Sequence, residues 1–119
     1  MKKLLLVAAF FALCSCSSSL NLTQALGQAE KGNAKAQYQV GWYYANVQND
    51  YSQAIDWLKK SAESYVPAQY YLGWCYYHGY GVSKDLKQAA YWYEKAAQGN
   101  DASIKQESEA MLELCKRQL

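Results

Sequence analysis

An all-α fold, a short α-solenoid of antiparallel helix-turn-helix hairpins, follows from three observations on this 119-residue sequence. The chain nearly repeats itself. Ala36-Gln37-Tyr38-Gln39-Val40-Gly41-Trp42 returns 32 residues later as Ala68-Gln69-Tyr70-Tyr71-Leu72-Gly73-Trp74. Gln53-Ala54-Ile55-Asp56-Trp57-Leu58-Lys59-Lys60-Ser61-Ala62 returns after 35 residues as Gln88-Ala89-Ala90-Tyr91-Trp92-Tyr93-Glu94-Lys95-Ala96-Ala97. Periods of this size mark stacked supersecondary units, each too small to bury its apolar face alone. Apolar residues also recur at helical spacing along the later chain, and no alternating run is long enough to argue for a strand. Finally, twelve Tyr and four Trp stand beside many Ala and Gly, the composition of a core in which rings interdigitate with small residues.

The chain opens on Lys2 and Lys3, followed by the uncharged apolar run Leu4 to Leu13 and then small residues. This is the pattern of an export signal, too short to span a bilayer, which needs roughly 20 apolar residues. Leu13-Cys14-Ser15-Cys16 resembles the lipobox of bacterial lipoproteins, with Leu three residues before the modified cysteine and a small Ser just before it. The resemblance implies a signal peptide over 1–15, lipidation of Cys16 and a tether over 16–19. Ser17, where Asp would retain the protein elsewhere, implies the outer membrane of the bacterial envelope, facing the periplasm. Several acyl chains on one residue anchor durably. The plainer alternative is cleavage by an ordinary signal peptidase and an unanchored product.

Helices are expected near 20–31, 35–46, 51–64, 67–78, 86–98 and 102–118. The stripe Leu22, Ala25, Leu26, Ala29 defines the first, and Tyr38, Gly41, Trp42, Ala45 the second. Ala54, Trp57, Leu58, Ser61, Ala62 mark the third, and Tyr70, Gly73, Trp74, Tyr77 the fourth. Ala89, Trp92, Tyr93, Ala96, Ala97 mark the fifth, and Ile104, Ser108, Met111, Leu112, Cys115, Leu119 the last. Boundary signals agree. Asp50 with Gln53, and Asp85 with Gln88, have capping-box spacing. Gly32-Asn33 and Gly99-Asn100 suit left-handed helix C-termini, and Pro67 suits a first turn. Gly41 and Gly73 each cost a helix about 1 kcal/mol relative to Ala, so their matching places imply a close-approaching neighbour.

Removing the signal removes Lys2 and Lys3, the whole formal excess of +2, and leaves a neutral chain. Nucleic-acid binding therefore has no electrostatic support. Cys75 and Cys115 remain in the mature chain. In an oxidising compartment they form either a disulfide, worth roughly 3–4 kcal/mol in the chain-entropy model, or two buried thiols that never meet. His78 is the only histidine and reads as a turn residue; with no cluster of ligands beside it, a zinc site lacks support. No nucleophile elbow, Walker-type loop or metalloprotease signature occurs, so neither cofactor, metal nor catalytic residue is expected.

Ala68-Gln69-Tyr70-x-Leu72-Gly73-x-x-Tyr76, Gly79-x-Gly81-Val82-x-x-Asp85 and Ala89-x-x-Trp92-Tyr93-x-Lys95-Ala96-Ala97-x-Gly99 together resemble the Sel-one-like repeat, a helical-hairpin cousin of the tetratricopeptide repeat. The match is looser over 36–65, where Asn46-Val47-Gln48-Asn49 makes a turn three residues shorter. The resemblance implies a repeat domain over 20–119, with repeats at about 34–66 and 67–101 and capping helices at 20–31 and 102–118. It also implies an adaptor that holds another protein, here an envelope protein, along the face of the first helices. Gln39, Tyr43 and Tyr71 lie on those helices off the core stripe and are the candidate contacts, with packing against adjacent helices as the plain alternative. Two other functions come with the family. Cysteine-rich relatives have been linked to β-lactam binding or hydrolysis, and an immunity-type inhibitor of a secreted toxin would use the same scaffold. Two full repeats are fewer than the three or so that solenoids need, which points to a larger partner or a homodimer.

Overall fold

The computed structural model describes residues 22–119; the expected signal peptide over 1–15, Cys16 and the expected tether over 16–19 lie outside them. The described residues form six helices and no strand: α1 (22–30), α2 (Ala34–Asn46), α3 (Tyr51–Ala62), α4 (Val66–His78), α5 (Leu86–Ala97) and α6 (Ala102–Gln118). Successive helices pack on one another from α2 to α6, and α4 also touches α6. The hairpins α2–α3 and α4–α5 are the two full repeats. Among the described residues, no helix is long and apolar enough to cross a membrane.

Local chemistry sets the boundaries. Asn33, Asp50, Asp85 and Asp101 each accept from a backbone N–H of the following first turn, satisfying donors that a helix start leaves free. The capping boxes are half reciprocal. Gln53 Nε2 returns to the Asp50 carboxylate at 3.1 Å, while the Asp50 backbone N–H goes to the Tyr44 carbonyl at 2.8 Å. Asp85 N–H likewise reaches the Tyr76 carbonyl at 3.0 Å. The two turns differ by three residues yet close on equivalent carbonyls. The longer one uses Gly79 at φ +76° and Gly81 at φ +72°; the shorter one places Asn49 at φ +55°, a conformation that Asn tolerates better than most side chains. Gly99 corrects its expected role. It does not take a left-handed φ; it is small because a Cβ there would meet Val66 Cγ2 at 2.8 Å.

Packing repeats with the sequence. A Cβ on Gly41 would meet Leu58 Cγ at 3.0 Å, and one on Gly73 would meet the Tyr93 ring at 3.1 Å. Leu58 and Tyr93 are themselves equivalent and fully buried, so each hairpin closes with a second-helix side chain laid on a first-helix glycine. Buried Gln37 donates to the Ala29 carbonyl at 3.1 Å, and buried Gln69 to the Ala62 carbonyl at 3.0 Å. The same amide latch thus joins α1 to α2 and α3 to α4, which makes α1 the structural counterpart of α3. Trp57 packs against Ala29, Ala36 and Val40, and Trp92 against the cluster of Leu58, Leu72 and Cys75. Both clusters span neighbouring units, and burial of these apolar seams is what holds units together that could not stand singly.

Candidate partner-binding face

The first helices of the two hairpins, α2 and α4, carry aromatic residues at matching positions. The N-caps Asn33 and Tyr65 put Tyr38 opposite Tyr70, Gln39 opposite Tyr71 and Trp42 opposite Trp74 in the repeat register. The rings join into a track that crosses the repeat boundary. Tyr38 meets Tyr65 edge-on at 5.5 Å between centroids and Tyr71 at 6.3 Å. Tyr71 stacks on Trp74 at 5.7 Å, and Trp74 leans on His78 at 4.7 Å and on Tyr80 at 4.9 Å. Tyr80, at the tip of the α4–α5 turn, stacks in turn on Tyr51 of α3 at 5.0 Å. Asn46 ties the track to α2: its Nδ2 donates to the Tyr71 hydroxyl at 3.1 Å and to the Trp42 carbonyl at 3.0 Å.

Burial pushes the Tyr71 hydroxyl up to about 12, against a smaller opposing effect of the Asn46 donor. Burial also raises Tyr38, with Tyr65 adding to it, and raises Tyr70, helped by the Glu107 carboxylate. Removing a group from water disfavours its charged form.

Of the three nominated contacts, Tyr71 lies in the middle of the track. Gln39 is exposed on α2 beside Tyr38. Tyr43 is not part of the track; its ring meets Tyr44 edge-on at 6.0 Å, and its hydroxyl accepts from Gln48 Nε2 at 3.0 Å. Trp42, expected in the core stripe, is 47% exposed. Its counterpart Trp74 is covered by Tyr80, and the shorter turn after α2 carries no aromatic residue to do the same. His78 is exposed at the end of α4, as expected of a turn residue, but its ring also stacks on Tyr80 at 5.6 Å. Sequence reading missed Tyr80 and Asn46; a ring set between Gly79 and Gly81 was the available signal for the first.

Cys75 and Cys115 are free and closed to solvent. Cys75 packs with the cluster of Leu58 and Leu72, and Cys115 with Ala89 and Tyr93. Burial pushes Cys75 up to about 12 and raises Cys115 as well, so both act as small apolar core groups and not as nucleophiles.

Comparison with known proteins now bears on this geometry. The Sel1 repeat family matches residues 34–65 and 66–101. The chain belongs to the Sel1 repeat family. The matched boundaries fall at α2 and α4, where each hairpin begins. A Sel1 repeat protein from Oxalobacter formigenes is similar at 33% identity and a TM-score of 0.62, with 70% of this chain and 65% of that one covered. The c5321 protein, a protective antigen of uropathogenic Escherichia coli with the same fold, is 40% identical at a TM-score of 0.65 over 76% of this chain and 20% of that one. The chitin synthase regulator SKT5 of Saccharomyces cerevisiae shares 32% identity over 90 residues, which are 71% of this chain and 13% of SKT5. HRD3B of Arabidopsis thaliana, a component of an ERAD-associated E3 ubiquitin-protein ligase, shares 33% over 81 residues, 64% of this chain and 12% of HRD3B. The chain thus spans about an eighth of these two relatives. Sel1-repeat proteins are generally protein-interaction scaffolds, and members are typically non-catalytic.

Proposed function

We propose that the chain is a membrane-anchored adaptor of the bacterial envelope, held at the outer membrane through lipidated Cys16 and gripping an envelope protein along the face of the first helices α2 and α4. The observation that carries the binding half is the aromatic track on the first helices: partly exposed rings, fixed by one another and by Asn46, ready to exclude water from a partner. The names of the two eukaryotic relatives, a regulator of an enzyme and a component of one, fit an accessory role. Anchoring rests on the lipobox-like Leu13-Cys14-Ser15-Cys16. The description of c5321 as a protective antigen fits an envelope location.

Photocrosslinking in intact cells tests the face. A photoreactive residue at position 39 or 71 should capture the same protein, and one at Lys59 of α3 should not. Capture from Lys59 alone would place the contact on the second helices and refute this reading. Fractionation with labelled fatty acid tests the anchor, and a soluble, unlabelled mature chain would remove it. The mass of the delipidated protein tests whether two copies associate.

A further inference from the structure

We infer that the open indole of Trp42 is the docking point for an arginine side chain of the partner protein; this rests on the protein-binding reading above and names the side chain that the face takes.

The four tryptophans of the chain are covered in different ways. Lys60 Nζ lies over the Trp57 ring at 4.7 Å, and Lys95 Nζ over the Trp92 ring at 5.4 Å. Trp74 meets the rings of Tyr71, His78 and Tyr80. Trp42 alone, among the described residues, meets neither a ring nor an ammonium, and it is 47% exposed. Three positions after Trp57 and after Trp92 stands the lysine that covers the ring; three after Trp42 stands buried Ala45. The chain sets its own ammonium on two of its indoles and has none to set on this one.

The surroundings of Trp42 suit a cationic donor. Gln39, Trp42 and Asn46 form one exposed stripe of α2. In the second repeat the same positions hold Tyr71, Trp74 and His78, so amides replace the two rings beside the indole. Asn46 Nδ2 spends both of its hydrogens within the chain, on the Trp42 carbonyl at 3.0 Å and the Tyr71 hydroxyl at 3.1 Å. That leaves the Asn46 Oδ1 lone pairs for an incoming donor. The Gln39 amide is exposed and can turn its own oxygen the same way. An electron-rich ring face bordered by amide oxygens attracts a cation and repels a carboxylate. The one charge on α2, Lys35, precedes Trp42 by seven residues. That is roughly 10 Å along the helix, beyond the Debye length of about 8 Å at physiological salt.

Arginine fits this site better than lysine. A guanidinium is planar, so it lies flat on the indole and still points its in-plane N–H groups at flanking oxygens. An ammonium is a compact, strongly hydrated point charge and gives up more hydration to reach both.

NMR of the intact mature chain tests this, with the indole N–H signals of the four tryptophans followed during titration. The probes are capped alanine peptides carrying one central arginine, lysine, tyrosine or glutamate, and N-acetylglucosamine. The arginine peptide should move the Trp42 signal progressively and leave those of Trp57, Trp74 and Trp92 nearly still. The lysine peptide should bind at least about threefold more weakly, and the other probes should leave Trp42 in place. In Trp42→Leu the side-chain amide signals of Gln39 and Asn46 should no longer answer to arginine. Gln39→Glu puts a carboxylate beside the ring and should tighten arginine binding about threefold at low salt, with the gain lost at high salt. A still Trp42 signal, an equal response to lysine, a response to tyrosine, glutamate or the sugar as large as that to arginine, or a Gln39→Glu chain that binds arginine no more tightly would each overturn the inference. If arginine fails while photocrosslinking through position 71 still captures a protein, the occupant is wrong and the adaptor reading stands. If arginine binds and nothing is captured, the Trp42 site stands and the adaptor reading falls.

Discussion

Adding one carbon at Gly81 should damage this fold far more than adding it at Gly79, although the two glycines share a backbone conformation. Both sit in the α4–α5 turn, at φ +72° and +76°, where a side chain costs roughly 1–2 kcal/mol for the left-handed conformation alone. They differ in what the new Cβ meets. At Gly79 the nearest atom is the Lys84 backbone nitrogen at 3.3 Å. At Gly81 the Cβ would stand 2.5 Å from the Tyr51 carbonyl oxygen, 2.7 Å from its carbon and 2.8 Å from Ile55 Cγ1. Tyr51 opens α3 and Ile55 is buried, so relief requires moving the start of a helix and not a flexible side-chain tip. Overpacking of that kind adds about 1–3 kcal/mol. Since 1 kcal/mol shifts the unfolding temperature of a domain this size by about 4–8 °C, Gly81→Ala should unfold roughly 5–20 °C below Gly79→Ala. Thermal unfolding followed by far-UV circular dichroism reads the difference. Equal losses, or a milder Gly81→Ala, would show that the turn does not rest on α3, and the Tyr80–Tyr51 stack would go with it.

Other expectations follow from the same coordinates. Gly27→Ala in α1 meets nothing within 4 Å and should stabilise the protein by up to about 1 kcal/mol through helix propensity, whereas Gly73→Ala should lose that gain against the buried Tyr93 ring; thermal scans compare them. The Tyr93 hydroxyl is buried with no hydrogen-bond partner among the described residues, so Tyr93→Phe should raise stability by about 1 kcal/mol in urea unfolding, and a loss would reveal an unseen partner. Gln69→Leu should cost about 1–3 kcal/mol because the Ala62 carbonyl loses its donor, an effect measurable as a lower urea midpoint. Alkali should unfold the chain in a definite window. Cys75 is raised from 9.0 to about 12 and Tyr71 from 10.0 to about 12. A raised folded pKa stabilises fully below the unfolded value, so stability should hold to about pH 9 and fall progressively towards pH 12. A urea midpoint that stays flat across that interval would contradict the burial of these groups.

Much of this architecture was legible in the residues because it is periodic. The 3.6-residue stripes placed α2 to α6 within about two residues of their observed ends, and Gly41 and Gly73 announced the close approach that Leu58 and Tyr93 make. The face was legible only in part. Tyr71 could be nominated because it stands off the core stripe, and the same criterion brought in Tyr43, whose ring turns to Tyr44 instead. Nothing in a one-dimensional pattern tells which of many tyrosines share a track, since ring contacts such as Tyr38 with Tyr71 and Tyr51 with Tyr80 join residues from different helices.

By itself the sequence determined the helices and their pairing into repeated hairpins, because caps, apolar periodicity and small-residue positions act over a few residues. The tertiary structure alone decided that Trp74 is covered while Trp42 is open, and that Asn46 joins two repeats through Tyr71. Those outcomes depend on which turn is long enough to bring a ring back over its neighbour. Burial and stacking are set by distances between elements and not by distance along the chain.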